Sequence, residues 1–183
     1  KLTKFESFEA QPRDFWRSTD PNTFPPLAPF VSGMTYAEPC YGVGDLERGL
    51  GGLGAIGVWY SDIDPQVEGI GQRNALYLTK KDLRYCDYII TNPPFSWPML
   101  QPLLEHLPTL KPTWLLLPSD FMHNKQSRPY MDKCKYIVSV GRLFFHKAGE
   151  SLDIKYKRGT ANNCWYLFTN EPQETRFRGW SIK

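Results

Sequence analysis

Short apolar segments recur through the middle of the chain, and the stretches between them have helical character. The strand candidates are residues 34–39 ("MTYAEP"), 55–61 ("AIGVWYS"), 75–79 ("ALYLT"), 87–91 ("DYIIT") and 113–118 ("TWLLLP"). The last is continuously apolar, as expected of a strand buried on both faces of a parallel sheet. Because strands that alternate with helices form right-handed βαβ units, the sequence predicts an α/β protein with a doubly wound sheet.

The 183 residues are enough for one domain, and we expect a single domain over residues 1–183. Residues 1–29 are rich in Pro, Asp and aromatic side chains, which predicts an irregular N-terminal arm. The C-terminal part holds three short strand candidates, "YIVSV", "RLFF" and "NCWYLF", together with a polar stretch at 146–162. A polar connection of this length is either a functional loop, here a possible substrate-contacting element, or disordered.

No apolar run approaches the roughly 20 residues of a membrane span, and the opening "KLTKFESFEAQ" lacks the apolar stretch of a signal peptide. We therefore expect a cytoplasmic protein without a membrane partner. The four cysteines are scattered and form no close pair of the zinc or redox type, so we expect free thiols and no metal.

Charge is distributed unevenly along the chain. From His123 to Lys183 there are 12 Lys and Arg against 5 Asp and Glu, whereas the preceding part has 10 against 14. The basic part fits a phosphate-bearing partner, but a solvated surface explains it equally well.

The segment "EPCYGVGDL" places Gly42 and Gly44 where the first strand passes into the first helix. Glycines there allow a tight turn and close approach of a ligand. A dinucleotide-binding loop carries a third glycine, and Glu47 stands in its place. Since a carboxylate also disfavours a pyrophosphate at a helix N-terminus, a ligand without phosphates fits better. On its own, a pair of glycines is a weak signal.

Acidic residues follow the second and third strand candidates. Asp62 in "SDID", or Asp64 as second choice, comes where an acid commonly accepts hydrogen bonds from ribose hydroxyls. A ribose without phosphate indicates S-adenosylmethionine. In "KKDL", Asp82 could accept from the adenine amino group, with Leu83 supplying a backbone N–H and apolar contact, although a turn or capping aspartate is the commoner explanation.

The stretch "TNPPF" follows the fourth strand candidate. The exocyclic amino group of a base is a poor nucleophile because its lone pair is delocalised into the ring. Two acceptors that bind its two hydrogens, the Asn92 side-chain carbonyl and the Pro93 main-chain carbonyl, would localise the lone pair and direct it at a methyl sulfonium. The prolines fix the backbone and remove competing N–H donors, and Phe95 would stack on the base. The structural alternative is that Asn92 caps a helix and Pro93 opens it.

Taken together, "EPCYGVGDL", "SDIDP", "KKDL" and "TNPPF" resemble, in order and spacing, the S-adenosylmethionine-dependent adenine-specific DNA methyltransferases of compact phage or bacterial type. The resemblance covers about residues 24–120, and "TNPPF" is its specific part. It implies a Rossmann-like methyltransferase sheet of seven strands, mostly parallel, with an antiparallel strand near the C-terminus. The implied cofactor is S-adenosylmethionine, and its product is S-adenosylhomocysteine.

The resemblance also assigns residues to the site. It implies a catalytic pocket formed by Asn92, Pro93, Pro94 and Phe95. The cofactor-binding residues would be Phe24 in "TFPP", Glu38, Pro39, Gly42, Gly44, Asp62, Ile63, Asp82, Leu83 and Asn92. Asp120 or Phe121 could border the flipped base, as could Trp97, for which core packing is the stronger interpretation. Many relatives carry a target-recognition domain for which this chain has no room. The loop residues Lys155, Lys157 and Arg158 are the candidates to contact DNA phosphates.

The sequence is consistent with three candidate functions. The first is methylation of the adenine amino group in DNA. The second keeps the chemistry but changes the substrate to an RNA base or a glutamine side chain, since each presents a planar NH₂. The third is a cofactor-binding subunit that is inactive without a partner or a second copy that recognises the target.

Overall fold

The computed structural model describes residues 16–147, 150–152, 159 and 161–179, which form two sheets. The strands are β1 (Trp16–Arg17), β2 (Thr35–Glu38), β3 (Ile56–Asp62), β4 (Gly71–Gln72), β5 (Tyr88–Thr91), β6 (Thr113–Pro118), β7 (Cys134–Leu143), β8 (His146–Lys147), β9 (Ala161–Phe168) and β10 (Arg176–Arg178). The helices are α1 (Ala28–Val31), α2 (Asp45–Gly51), α3 (Trp97–Leu110) and α4 (Arg128–Met131). The main sheet has eight strands in the order β10-β7-β9-β6-β5-β2-β3-β4, and β1 pairs with β8 in the other.

Most of the main sheet is parallel. Strand β2 pairs in parallel with both β3 and β5, and β5 pairs in parallel with β6. Strand β9 is antiparallel to both β6 and β7, its neighbours. The predicted doubly wound, Rossmann-like sheet with an antiparallel strand near the C-terminus is therefore confirmed. The expected seven strands are one too few, because β10 adds an edge strand parallel to β7.

Side chains on β6 show how the sheet is buried on both faces. Trp114 and Leu116 pack with α2 and the arm, whereas Leu115 and Leu117 pack with α3 on the other face. All four are fully buried, as the continuous apolar sequence predicts. This packing on both faces holds the parallel strands side by side, with their carboxyl ends at one edge of the sheet.

The strand predicted at residues 75–79 is wrong. Ala75–Tyr77 form a 3₁₀ helix that Asn74 caps, with its side-chain oxygen accepting from the N–H of Leu76 over 2.9 Å. Ala75 and Leu78 are buried in the core, so the apolar residues are accounted for without a strand. The edge strand in this region is instead β4, which has two residues.

The described part of the arm is residues 16–29. It contains β1, short 3₁₀ helices at Pro21–Thr23 and Pro25–Leu27, and the start of α1. The polar stretch at 146–162 is shorter than predicted, since His146–Lys147 form β8 and residues 161–162 belong to β9.

Candidate functional site

The carboxyl ends of β2, β3 and β5 bring three predicted site residues to one edge of the sheet. Glu38 ends β2, Asp62 ends β3 and Asn92 follows β5 directly. The strand order reverses at β2, because the chain passes from β2 to β3 on one side and later adds β5 on the other. Ligands of open α/β sheets bind outside the carboxyl ends at such a reversal. The candidate site is therefore this crevice.

The glycine loop connects β2 to α2 at this crevice. Gly42 and Gly44 have φ of 57° and 77°, in the left-handed region that favours glycine. A Cβ on Gly44 would lie 2.5 Å from the Tyr41 hydroxyl, which donates a hydrogen bond to Glu47. Glu47, at the place of a third glycine, thus holds the loop through Tyr41.

Asp62 also holds this loop. One of its carboxylate oxygens accepts from the Gly42 N–H and the other from the Asp64 N–H, each over 2.8 Å. A carboxylate offers about four lone-pair positions, so Asp62 retains acceptor capacity for hydroxyl groups of a ligand. Ile63, beside it, is exposed.

Glu38 is a buried carboxyl group at the end of β2, which lies between β5 and β3. It is 1% exposed, and its Oε2 has no hydrogen-bond partner among the described residues. Burial, reinforced by the nearby charges of Glu47, Asp45 and Asp62, raises the pKa of Glu38 well above its usual range. A buried carboxylate requires a compensating charge, so this position suits a ligand that carries a cation. Pro39, the next residue, is buried.

These residues fit S-adenosylmethionine. Glu38 Oε2, Ser61 Oγ and Asn92 Oδ1 are all buried and, within the described parts of the chain, have no hydrogen-bond partner. They lie at or next to the carboxyl ends of neighbouring strands, where polar groups of a ligand could satisfy them. Asp45 and Glu47 occupy the first turn of α2, which disfavours a phosphate there.

Asn92 is held by a residue of the arm. Its side-chain N–H donates to Ser18 Oγ over 2.9 Å, while Oδ1 is buried. Helix α3 begins at Trp97 and has Ser96 as N-cap, so Asn92 does not cap a helix. Pro93 is buried, whereas Pro94 and Phe95 are partly exposed. The Phe95 ring lies edge-on to Phe145, with centroids 6.2 Å apart.

The contribution of Arg17 and Ser18, two residues of the arm, was not predicted. Arg17 donates two hydrogen bonds to Asp45 of α2, over 3.1 and 2.9 Å. A groove of about 500 Å³ runs between the arm and α2, and Ser18 and Asp45 both line it. Asn92 does not line this groove. No local sequence pattern marks Ser18, because its contact with Asn92 spans 74 positions of the chain.

The structure gives Asp82 a role in a turn. Its carboxylate accepts from the Thr79 hydroxyl and N–H over 2.6 and 2.8 Å, and it pairs with Arg73. Hydrogen bonds from Thr79, together with Arg73, lower the pKa of Asp82. The Leu83 side chain is fully buried and its N–H donates to Thr79 O. The structure thus shows the turn role, and adenine binding by these two residues stays a prediction.

The other predicted residues are dispersed. Phe24 packs in the core with its ring against Gly49 of α2. Phe121 is buried against Tyr166, and Trp97 packs edge-on to Tyr130. Asp120 is exposed after β6. The three predicted phosphate contacts, Lys155, Lys157 and Arg158, lie outside the described residues.

Cys40 lies in the glycine loop beside this crevice. Desolvation raises the pKa of its thiol to about 12. Since the thiolate is the nucleophilic form of cysteine, Cys40 is not activated for covalent attack on a base.

No His, Cys, Asp and Glu side chains of the described residues gather in a group of three that could hold a metal ion. No helix in this part of the chain combines the length and apolar character of a membrane span.

The fold is that of the Rossmann-like methyltransferases. A candidate RNA methyltransferase from Pyrococcus horikoshii superimposes with a TM-score of 0.50 over 76% of each chain, at 15% identity. At this identity the likeness shows the fold alone. A candidate class I S-adenosylmethionine-dependent methyltransferase from Listeria monocytogenes gives a TM-score of 0.47, 12% identity and coverage of 81% of this chain and 59% of the other.

The M protein of the type I restriction enzyme EcoKI gives a TM-score of 0.42 at 17% identity, over 91% of this chain and 46% of that one. No protein-family model and no curated protein matches the sequence.

Proposed function

We propose that this protein transfers a methyl group from S-adenosylmethionine to the exocyclic amino group of adenine in DNA. The observation that carries the proposal is the buried Asn92 carbonyl oxygen, which has no hydrogen-bond partner in the described structure. Asn92 follows β5 at the same edge of the sheet as the glycine loop between β2 and α2. Leaving a buried acceptor unsatisfied costs about 1–3 kcal/mol, and a substrate amino group would remove that cost.

The cofactor supplies an electrophilic methyl group on a sulfonium centre. Glu38 would bind its ammonium group, since this buried carboxyl lacks a partner among the described residues. Asp62 would accept from the ribose hydroxyls while it continues to hold Gly42. The loop and its ligand would thereby be held in one arrangement.

Asn92 and Pro93 would then act on the substrate nitrogen. The Asn92 side-chain oxygen and the Pro93 main-chain oxygen accept its two hydrogens, which localises the lone pair for attack on the methyl carbon. The substrate nitrogen would receive the methyl group as S-adenosylhomocysteine leaves, and it would then lose its extra proton to water. The Cys40 thiol remains protonated and takes no part.

The target base must leave the duplex to reach Asn92, because its amino group is otherwise held in a base pair. The partly exposed Phe95 would stack on the extruded base. Since Asn92 Oδ1 is buried in this structure, the groups that cover it must move when the base enters. The loop that contains Lys155, Lys157 and Arg158 is the proposed DNA contact, and the unevenly basic C-terminal part supports it.

The same two oxygens would accept hydrogens from any planar NH₂ group, so an RNA base or a glutamine side chain is the second candidate substrate. A partner subunit or a second copy of the chain could also supply target recognition. These possibilities are separated by offering labelled cofactor and the purified protein with DNA, RNA and protein substrates side by side. We expect label in DNA from the wild type. Label only in RNA or protein, or label in DNA only after a partner is added, would contradict the proposal.

A further inference from the structure

We propose that Ser18 is a positioning residue for Asn92: its hydroxyl accepts the Asn92 side-chain N–H and so holds the carbonyl in the orientation that receives the substrate amino group. This inference rests on the proposed function for its catalytic consequence, but the geometry it describes is measurable without activity.

Ser18 occupies a fixed place. It is 3% exposed and lies between residues that are tied to α2, to β8 and to Phe144. Arg17 pairs with Asp45 of α2, and Asp20 accepts from the Phe144 N–H over 3.2 Å. Strand β1 pairs with β8, with Arg17 opposite His146. The Ser18 hydroxyl is therefore held by the fold at 2.9 Å from the Asn92 nitrogen.

An asparagine amide turns readily about its last side-chain torsion, and its two ends have almost the same shape. Without Ser18, the Asn92 amide could present its NH₂ end as easily as its oxygen. The NH₂ end would face the hydrogens of the substrate amino group and could not accept them. The oxygen, in contrast, accepts one of these hydrogens. A hydrogen bond to the N–H end also increases the polarity of the carbonyl. Ser18 thus favours the productive orientation.

The first test measures the geometry on the full chain. The side-chain NH₂ resonances of Asn92 are assigned in the ¹⁵N–¹H spectrum by their loss in Asn92→Asp. We expect slowed hydrogen exchange of one proton in the wild type and loss of that protection in Ser18→Ala. Ser127→Ala is the matched control, because Ser127 is also a buried serine with a hydrogen-bonded hydroxyl, which in this case donates to Asn124 O over 2.7 Å. Equal exchange in wild type and Ser18→Ala would overturn the inference.

The second test measures catalysis. In Ser18→Ala we expect kcat to fall about 5- to 30-fold, the loss of one hydrogen bond, with cofactor Kd within about twofold. Ser18→Thr should recover most of kcat, and Ser127→Ala should lower thermal stability only. A kcat that is unchanged in Ser18→Ala overturns the inference, and a raised kcat shows instead that Ser18 blocks Asn92. If the wild type methylates no NH₂ substrate, the proposed function fails while the spectrum still decides the geometry.

Discussion

Asp62 accepts a hydrogen bond from the main-chain N–H of Gly42 over 2.8 Å, and this contact joins the end of β3 to the glycine loop. The same carboxylate is proposed to bind the ribose, so it would support the cofactor both directly and through the loop. The carboxylate of Asp82, in contrast, already accepts a hydrogen bond from the Thr79 hydroxyl and pairs with Arg73.

The two aspartates should therefore respond differently to the same substitution. Asp62→Asn should weaken S-adenosylmethionine binding about tenfold or more, the equivalent of about 1.4 kcal/mol. Asp82→Asn should lower the melting temperature and change the cofactor Kd less than about threefold. Calorimetric titration of both variants measures this, and a larger loss of affinity in Asp82→Asn would contradict the assignment.

Glu38 should make the stability of the ligand-free protein depend on pH. Its pKa is raised in the folded protein, so the unfolded state loses the proton at lower pH than the folded state does. The stability of the ligand-free protein therefore falls as pH rises from the unfolded pKa through the folded pKa. Glu38→Gln removes this effect, so the melting temperature of the variant should increasingly exceed that of wild type as pH rises above the pKa of Glu38 in the unfolded state.

The affinity of Glu38 for an ammonium group has the opposite pH dependence. Binding requires the ionised carboxylate, so wild-type affinity for the cofactor should rise with pH as a proton is released. In Glu38→Gln the affinity should be weaker and nearly independent of pH. Titrations in buffers of different ionisation enthalpy detect the released proton, and the same proton release in the variant would rule out Glu38 as its source.

Arg17 anchors the arm. Its side chain is 17% exposed and that of Asp45 is 10% exposed, so the pair is partly protected from water. Arg17→Ala should cost roughly 1.5–3 kcal/mol of unfolding free energy and make the arm more sensitive to proteolysis. Arg48→Ala is the matched control, because Arg48 pairs with the same Asp45 but is 61% exposed. A stability loss from Arg48→Ala equal to that from Arg17→Ala would contradict this account.

The sequence predicted the parts of the fold that local patterns encode. The continuous apolar run at β6 indicated a strand buried on both faces, and Trp114 to Leu117 confirm it. The glycines after β2 indicated a turn, and their positive φ values agree. The predicted site residues Glu38, Asp62 and Asn92 lie at one edge because each ends or directly follows a parallel strand, a relationship that strand order alone predicts.

Features that depend on long-range pairing were not predictable. The apolar residues of 75–79 suit a strand as well as a 3₁₀ helix, and Asn74 as a cap was the available signal for the helix. Strands β1, β4 and β10 have only two or three residues and exist because a partner strand is present. The contact between Ser18 and Asn92 depends on where the arm packs, which no local pattern records.

Substitutions of Phe95 test whether its ring stacks on the base, as proposed. Phe95→Ala should lower kcat/KM for DNA by about 5- to 100-fold, since stacking on an aromatic ring is worth about 1–3 kcal/mol. Phe95→Tyr should retain activity. Phe95→Leu is the control for lost volume, because it keeps an apolar contact with Phe145 without an aromatic face. Wild-type activity in Phe95→Leu would show that Phe95 serves packing alone.

The most direct test of the central claim identifies the methylated atom. Unmethylated DNA is incubated with labelled S-adenosylmethionine and either the wild type or Asn92→Ala, then digested to nucleosides and separated. We predict label in deoxyadenosine methylated on its amino nitrogen for the wild type, and none for Asn92→Ala although that variant still binds the cofactor. Label in another nucleoside, or equal label from Asn92→Ala, would contradict the account.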